Sequence, residues 1–497
     1  MEYTSTRDAS LRISSAQAIT RGISAEGGLF VPTDLPKLTA DNLAHLSHLD
    51  YVGRAESILS RFLTDFTAEE LHYCVSNAYT AEKFGSDAIA ELAQLYPDTY
   101  MLELWHGPTC AFKDMALQLL PYLLTVSAKK TAADKEIVIL VATSGDTGKA
   151  ALEGFKDVPG TRIMVFYPED GVSDMQKRQM TTQEGENVAV CAIKGNFDDA
   201  QNGVKAIFTN DEIKSLLDQK NMMFSSANSI NWGRLVPQIV YYISSYCELL
   251  ADEELRPGER MNVVVPTGNF GNILAAYYAK QMGLPIAKLI CASNANNVLT
   301  DFIRTGTYDR NRDFYTTISP SMDILISSNL ERLLYAMSGG DDQKICRWFD
   351  ELKKNGRYTV DEAVQSKLAR DFYAGCANDE ETRATIQKIF GEYSYLCDTH
   401  TAVAVKVYED YRASTGDDTK TLIASTASPY KFTSSVLEAL TGNAPTDGPF
   451  EQVQALALTS KLPIPAALAE LRDKPVRFTE SVDRDEMADY VLRTLER

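Results

Sequence analysis

A chain of 497 residues, 44% hydrophobic and 24% charged, has the composition of an ordinary globular protein and is long enough for two or three domains. Its formal net charge of −19 repels nucleic acid and anionic membranes, so neither is expected as a partner. The opening MEYTSTRDASLRISS lacks the apolar core of a secretory signal, and no apolar run reaches the roughly 18 residues of a membrane span. Eight scattered cysteines form no CxxC pair, and five histidines, His45 and His48 among them, form no metal set. The expectation is a cytoplasmic protein with reduced thiols and no metal.

Residues 1–95 show mostly helical patterning and are expected to form an N-terminal appendage. From about residue 99, short β-branched runs alternate with amphipathic stretches. Lys135–Ala142, Thr161–Tyr167 and Asn187–Ile193 are predicted strands, each followed by a loop and a helix. The segment 224–246 intervenes, and the pattern resumes with strands at Asn262–Pro266, Ala287–Cys291 and Leu422–Ser425. Apolar strands alternating with helices predict an α/β fold, with parallel sheets covered by helices on both faces. The expected division is a first αβ domain over 96–245 and a second over 246–497, flanking a cleft.

Ligands of open α/β sheets gather beyond the carboxyl ends of the strands, which singles out the loops there. In "VVVPTGNFGNILAAYY", Gly268 and Gly271 turn the chain from strand to helix. Free N–H groups at the helix start, with close backbone approach at the glycines, make an anion site suited to a phosphate. The spacing is neither GxGxxG nor a P-loop, and an ordinary strand-to-helix turn would look similar. "TSGDTGKAA" repeats the geometry with Ser144, Asp146, Thr147 and Lys149, although Asp and Thr there could simply cap the helix. "WHGPTCAFKDMALQ" places Lys113 between Phe112 and Asp114, ahead of an apolar helix expected from Met115 to Leu124. Alone, Lys113 is either a lysine snorkelling to water or an amine held in a site as nucleophile or base. A lysine and a phosphate loop together meet the minimal demand of pyridoxal phosphate: an amine for its aldehyde and a cradle for its phosphate. The late loop "ASTASPYKF" could offer Ser425 or Thr426 as a neutral hydroxyl for the pyridine nitrogen.

These segments, together with "STRD", "GGLFVPTDLP", "ATSGDTGKAALEGF", "GVSDMQKRQMTT", "GNFDDAQ", "NSINWGRLVPQIVYY", "SPSMDILISSNLERLLY" and "CDTHTAVA", resemble the threonine synthase family over nearly the whole chain. The resemblance implies a fold type II pyridoxal-phosphate enzyme related to the tryptophan synthase β subunit. It implies that Lys113 holds the cofactor, that Gly268, Asn269, Phe270, Gly271 and Asn272 cradle its phosphate, and that Thr426 pairs the pyridine nitrogen. Ser144, Asp146 and Thr147 would face the amino-acid substrate, with Asn228, Asn231 and Arg234 as further polar lining and Arg234 meeting an anionic group. The implied reaction takes O-phospho-L-homoserine and water to L-threonine and phosphate. The alternative is a phospho-lyase that stops at 2-oxobutyrate. A monomer or weak homodimer is the expected assembly. One departure stands out: where the family motif reads T-A-H-P-A-K-F, this chain has Ser428 for the histidine and Tyr430 for the second alanine. Any proton transfer by that histidine would fall here to Lys113 or water.

Overall fold

The computed structural model describes residues 1–131, 135–143, 145–169 and 172–496. Three short strands, β1 (Tyr3–Ser5), β2 (Asp8–Ile13) and β3 (Phe30–Pro32), form an antiparallel sheet, and helices fill most of the remainder up to residue 84. β4 (Glu91–Tyr96) and β5 (Thr99–Glu103) then open a larger sheet. The chain leaves it to build β6 (Glu136–Ala142), β7 (Thr161–Pro168), β8 (Val188–Lys194) and β9 (Met222–Ser225). After the long buried helix Trp232–Ala251 it returns as β10 (Met261–Pro266) and β11 (Ile286–Ser293). A small antiparallel ribbon, β12 (Thr307–Asp309) with β13 (Arg357–Thr359), precedes β14 (Phe372–Cys376), β15 (Thr421–Ser425) and β16 (Ser481–Asp483).

The six-stranded sheet runs β14-β11-β10-β15-β5-β4, parallel except for edge strand β4, and the five-stranded sheet runs β16-β8-β7-β6-β9, all parallel. The expected α/β architecture of parallel sheets with a largely helical N-terminal region is thus observed. Sheet membership does not follow the linear division at 95/96 and 245/246. β5, inside 96–245, pairs with β15, and β16, at the far end of the chain, pairs with β8. A parallel sheet lets a strand insert between partners distant in sequence, which local periodicity does not record.

Period-2 alternation explains how each sheet is covered on both faces. In β6, Ile137, Ile139 and Val141 join the main core, whereas Val138 and Leu140 face a second core beside Ile207, Met487 and Val491. β10 divides likewise, Val263 and Val265 to one side and Val264 to the other. The apolar run after Lys113 is two helices, Asp114–Leu117 and Leu120–Thr131, rather than the one expected over 115–124. Pro121 has no N–H to give Leu117, so the helix breaks there, and the Leu117 carbonyl instead lies where a Cβ on Gly154 would sit. Among the described residues no helix is long and apolar enough to cross a membrane.

The N-terminal region is bound to the rest through fully buried Arg332. Its Nε donates to Phe30 O at 3.0 Å, Nη2 to Ile230 O at 2.6 Å and Nη1 to Asn329 Oδ1 at 2.6 Å. Replacing Arg332 by Met should remove three hydrogen bonds from a buried guanidinium and destabilise the fold by about 2–4 kcal/mol, a charged hydrogen bond being worth roughly 1.5–3 kcal/mol and solvent or neighbouring donors recovering part of the loss. Thermal unfolding would check this, and an unchanged melting temperature would contradict it.

Candidate active site

β10, β15 and β5 are neighbours in the larger sheet, so the loops that follow them share one edge. The loop after β5 is stitched to the loop after β15. Leu104 N–H donates to Ser425 O at 3.0 Å, Phe112 N–H to Thr426 O at 2.8 Å, and Ser428 N–H to Cys110 O at 3.0 Å. Within it, Asp114 accepts from Thr109 N–H at 2.8 Å and from Thr109 Oγ1 at 2.7 Å. Burial still pushes the Asp114 carboxyl up to about 6. Gly107 has to be glycine, because a Cβ would lie 2.6 Å from the Asp114 side chain. This tight knot delivers Lys113 at the start of the short helix with its side chain only 12% exposed.

The five-stranded sheet supplies the counter-charge. Asp146 opens the helix Asp146–Phe155 after β6, and its Oδ2 lies 3.9 Å from Lys113 Nζ. Its Oδ1 lies 2.8 Å from Nζ of Lys431, which also donates to Thr109 O at 2.8 Å. Burial lowers the proton affinity of Lys113, Lys431 and Arg234 push the same way, and Asp146 opposes them. Burial alone would raise the Asp146 carboxyl, but the two lysines overcome it and hold the group well below the usual carboxylate range. Lys431 is a site residue that the sequence reading does not single out, because the loop 424–432 shows its hydroxyls more plainly than this amine. The available signal was a lysine between Tyr430 and Phe432 at a strand end, much as Phe112 precedes Lys113. Lys149 brings no free charge to this loop, since its Nζ is taken by Glu153 at 2.9 Å and Gln183 at 2.5 Å.

The loop after β10 leads directly into a helix start. Phe270 takes a left-handed φ of 65° ahead of the helix Gly271–Met282, and no side chain caps that helix start. Its first N–H groups are therefore free for an anion. Asn272 Oδ1 accepts from Tyr241 at 2.6 Å and Tyr242 at 2.5 Å, which leaves its buried Nδ2 without a partner among the described residues. A Cβ on Gly268 would lie 2.6 Å from Ser321 O, so the backbone there is closely backed. Orphaned amide donors beside an uncapped helix fit a bound phosphate.

The remaining expected residues divide. Thr426 is 5% exposed at the end of β15, and Thr147 lies partly exposed in the first turn after Asp146. Ser144 falls outside the described residues. Asn228 is exposed. Asn231 differs from its expected part in the lining. It is fully buried, with Nδ2 donating to Ile19 O at 3.0 Å and Ser226 O at 2.8 Å while Oδ1 accepts from Gly233 N–H at 2.9 Å. Its amide hydrogens are spent on the backbone, and it positions the helix that carries Arg234. Arg234 is 3% exposed, donates to Ala227 O at 2.5 Å and keeps a buried Nε with no partner among the described residues. Burial lowers its guanidinium to about 10. A buried cation with an idle donor matches an anion.

A desolvated lysine, an uncapped helix start and a strand-end hydroxyl along one edge of the larger sheet, faced by Asp146 from the smaller one, fit the class of pyridoxal-phosphate enzymes of fold type II. A family model for pyridoxal-phosphate dependent enzymes matches residues 90–370, and models for the threonine synthase N terminus and C-terminal region match 2–79 and 401–491. The chain belongs to the threonine synthase family. It is 38% identical over 468 residues to threonine synthase of Saccharomyces cerevisiae, covering 88% of this chain and 89% of that one. It is 41% identical over 435 residues to human threonine synthase-like 1, covering 86% of this chain, and spans only 58% of that relative's length. A crystal structure of pyridoxal-phosphate-bound threonine synthase from Brucella melitensis superposes with a TM-score of 0.88 at 35% identity, covering 99% of each chain.

Replacing Lys431 by Met removes a cation that lowers Lys113 and leaves Asp146, which raises it. The pH for half-maximal borohydride-trapped labelling of Lys113 by pyridoxal phosphate should therefore move upward. A midpoint that stays in place or falls contradicts the electrostatic account.

Proposed function

We propose that the chain is a threonine synthase, a carbon–oxygen lyase that converts O-phospho-L-homoserine and water to L-threonine and phosphate in threonine biosynthesis. The observation that carries the reading is the Lys113 amine, desolvated and flanked by Asp146, on a chain of this family. Lys113 would hold pyridoxal phosphate, the backbone and amide donors of Gly268–Asn272 its phosphate, and Thr426 its pyridine nitrogen. A neutral hydroxyl at that nitrogen leaves the ring a milder electron sink than a carboxylate would. Ser144, Asp146, Thr147, Asn228 and Arg234 would face the substrate. Free cysteines suit a reducing cytoplasm, and a monomer or weak homodimer is the assembly we expect.

Bound pyridoxal phosphate supplies an electron sink for the charge that develops when substrate carbons lose protons. Lys113 Nζ takes the Cα proton. Once Nζ has released that proton to solvent, the same amine takes a Cβ proton; the Cβ–H pair forms a Cβ=Cγ double bond as the Cγ–O bond breaks and its electron pair leaves with phosphate. Lys113 returns the Cβ proton to Cγ, water adds its hydroxyl at Cβ, and the proton that water leaves behind ends on Cα. An amine that serves repeatedly must release its proton readily, which burial beside Lys431 and Arg234 favours. Arg234, with its idle Nε, supplies the positive field for an anionic group of the substrate, against the surplus of acidic groups elsewhere.

Product analysis with O-phosphohomoserine should give threonine and phosphate, and 2-oxobutyrate as main product would mark a phospho-lyase instead. Lys113→Ala should lower threonine formation by roughly 10²–10⁴-fold or more, and substantial residual turnover would sink the assignment. Arg234→Met should raise KM for the phosphorylated substrate by about 10–100-fold through loss of a charged contact. An unchanged KM would remove Arg234 from substrate binding.

A further inference from the structure

The chemistry above gives no task to the buried polar cluster around Asp398. Asp398, fully buried, starts the helix Thr399–Thr415, and its carboxylate gathers several donors. It accepts from His400 N–H at 2.9 Å, His400 Nδ1 at 2.7 Å, Thr401 N–H at 3.1 Å and the Thr401 hydroxyl. We infer that the Asp398–His400 pair is a positioning device that fixes the two ends of the cofactor cradle, Thr426 and Gly268, relative to each other. The inference rests on the placement of pyridoxal phosphate between those two ends proposed above.

One arm of the cluster runs to Thr426. The Thr401 hydroxyl spends its hydrogen on Asp398 and so presents lone pairs to Thr426 N–H at 3.3 Å. The other arm runs to the phosphate loop. Nε2 of His400 accepts from Ser321 N–H at 3.1 Å, which places the imidazole proton on Nδ1, facing Asp398. His400 thereby anchors the turn Pro320–Met322, and Ser321 O is the atom that backs Gly268. Ser327 Oγ holds Gly268 from the same segment by donating to its carbonyl at 2.7 Å. Both imidazole nitrogens are thus committed and the ring is 3% exposed, so His400 does not take over proton transfer from the histidine missing at 428. It acts through the backbone of two loops.

The test compares His400→Leu, His400→Gln and Thr401→Val with the unaltered holoenzyme. The readouts are the dissociation constant of pyridoxal phosphate, the phosphorus-31 resonance of its bound phosphate and its visible absorption. His400→Leu leaves Ser321 N–H unpaired and should weaken cofactor binding roughly tenfold or more, moving the phosphate resonance toward that of free cofactor. Gln can return an acceptor to Ser321, so His400→Gln should recover most of the affinity. Thr401→Val should shift the visible absorption while leaving the phosphate resonance near its original place. Should His400→Leu not fold, Thr401→Val decides alone. Unaltered affinity and resonance in His400→Leu, a His400→Gln as impaired as the Leu variant, or no absorption change in Thr401→Val would each overturn the inference. Failure of the unaltered protein to bind pyridoxal phosphate would instead overturn the site itself.

Discussion

The carboxylate of Asp146 is carried by one sheet and held between two lysines carried by the other. That arrangement is the constraint on which the site depends. Three buried charges of which two are positive cost desolvation energy that a single ion pair does not fully return. The interaction is therefore poor evidence for stability and better understood as a setting for reactivity. It orients Lys113, offsets part of the proton affinity that burial takes from that amine, and ties the loop after β6 to the loops after β5 and β15. Arg234 adds a further buried cation, without a carboxylate partner among the described residues. The positive field that an anionic ligand needs is thus concentrated inside a strongly acidic chain.

Positioning that field requires the N-terminal region. Asn231 and Arg332 bind the carbonyls of Ile19, Ser226, Phe30 and Ile230, so the helix bearing Arg234 starts from a loop clamped on both sides. Gly22, with φ of 71°, lets the chain pass the Asn231 amide, where a Cβ would come within 3.3 Å of Nδ2. The region looks like an appendage in the linear order, yet it buttresses the anion-binding side of the site.

Much of this was legible in the sequence, and the exceptions have physical causes. Apolar strands followed by glycine-rich turns announced the parallel sheets, because backbone approach to an anion and burial on both faces leave local marks. The strand-end loops that carry Lys113 and Gly268–Asn272 could be found for the same reason. The insertion of β5 beside β15 left no mark, since parallel pairing across more than three hundred residues is decided by tertiary packing. Asn231 misled because a buried amide serving backbone carbonyls is spelled the same way as one facing a ligand. Lys431 escaped because its chemistry is set by Asp146, which only the fold brings near. The polar arms from Asp398 are likewise made of common residues whose joint geometry no spacing encodes.

The central claim is that Lys113, and not its buried neighbour Lys431, carries the cofactor. Borohydride reduction of the cofactor-loaded protein followed by peptide mass mapping tests this most directly. The account predicts a pyridoxyl label on the peptide containing Lys113, with Lys431 unmodified. A label on Lys431, or none on Lys113, would contradict it.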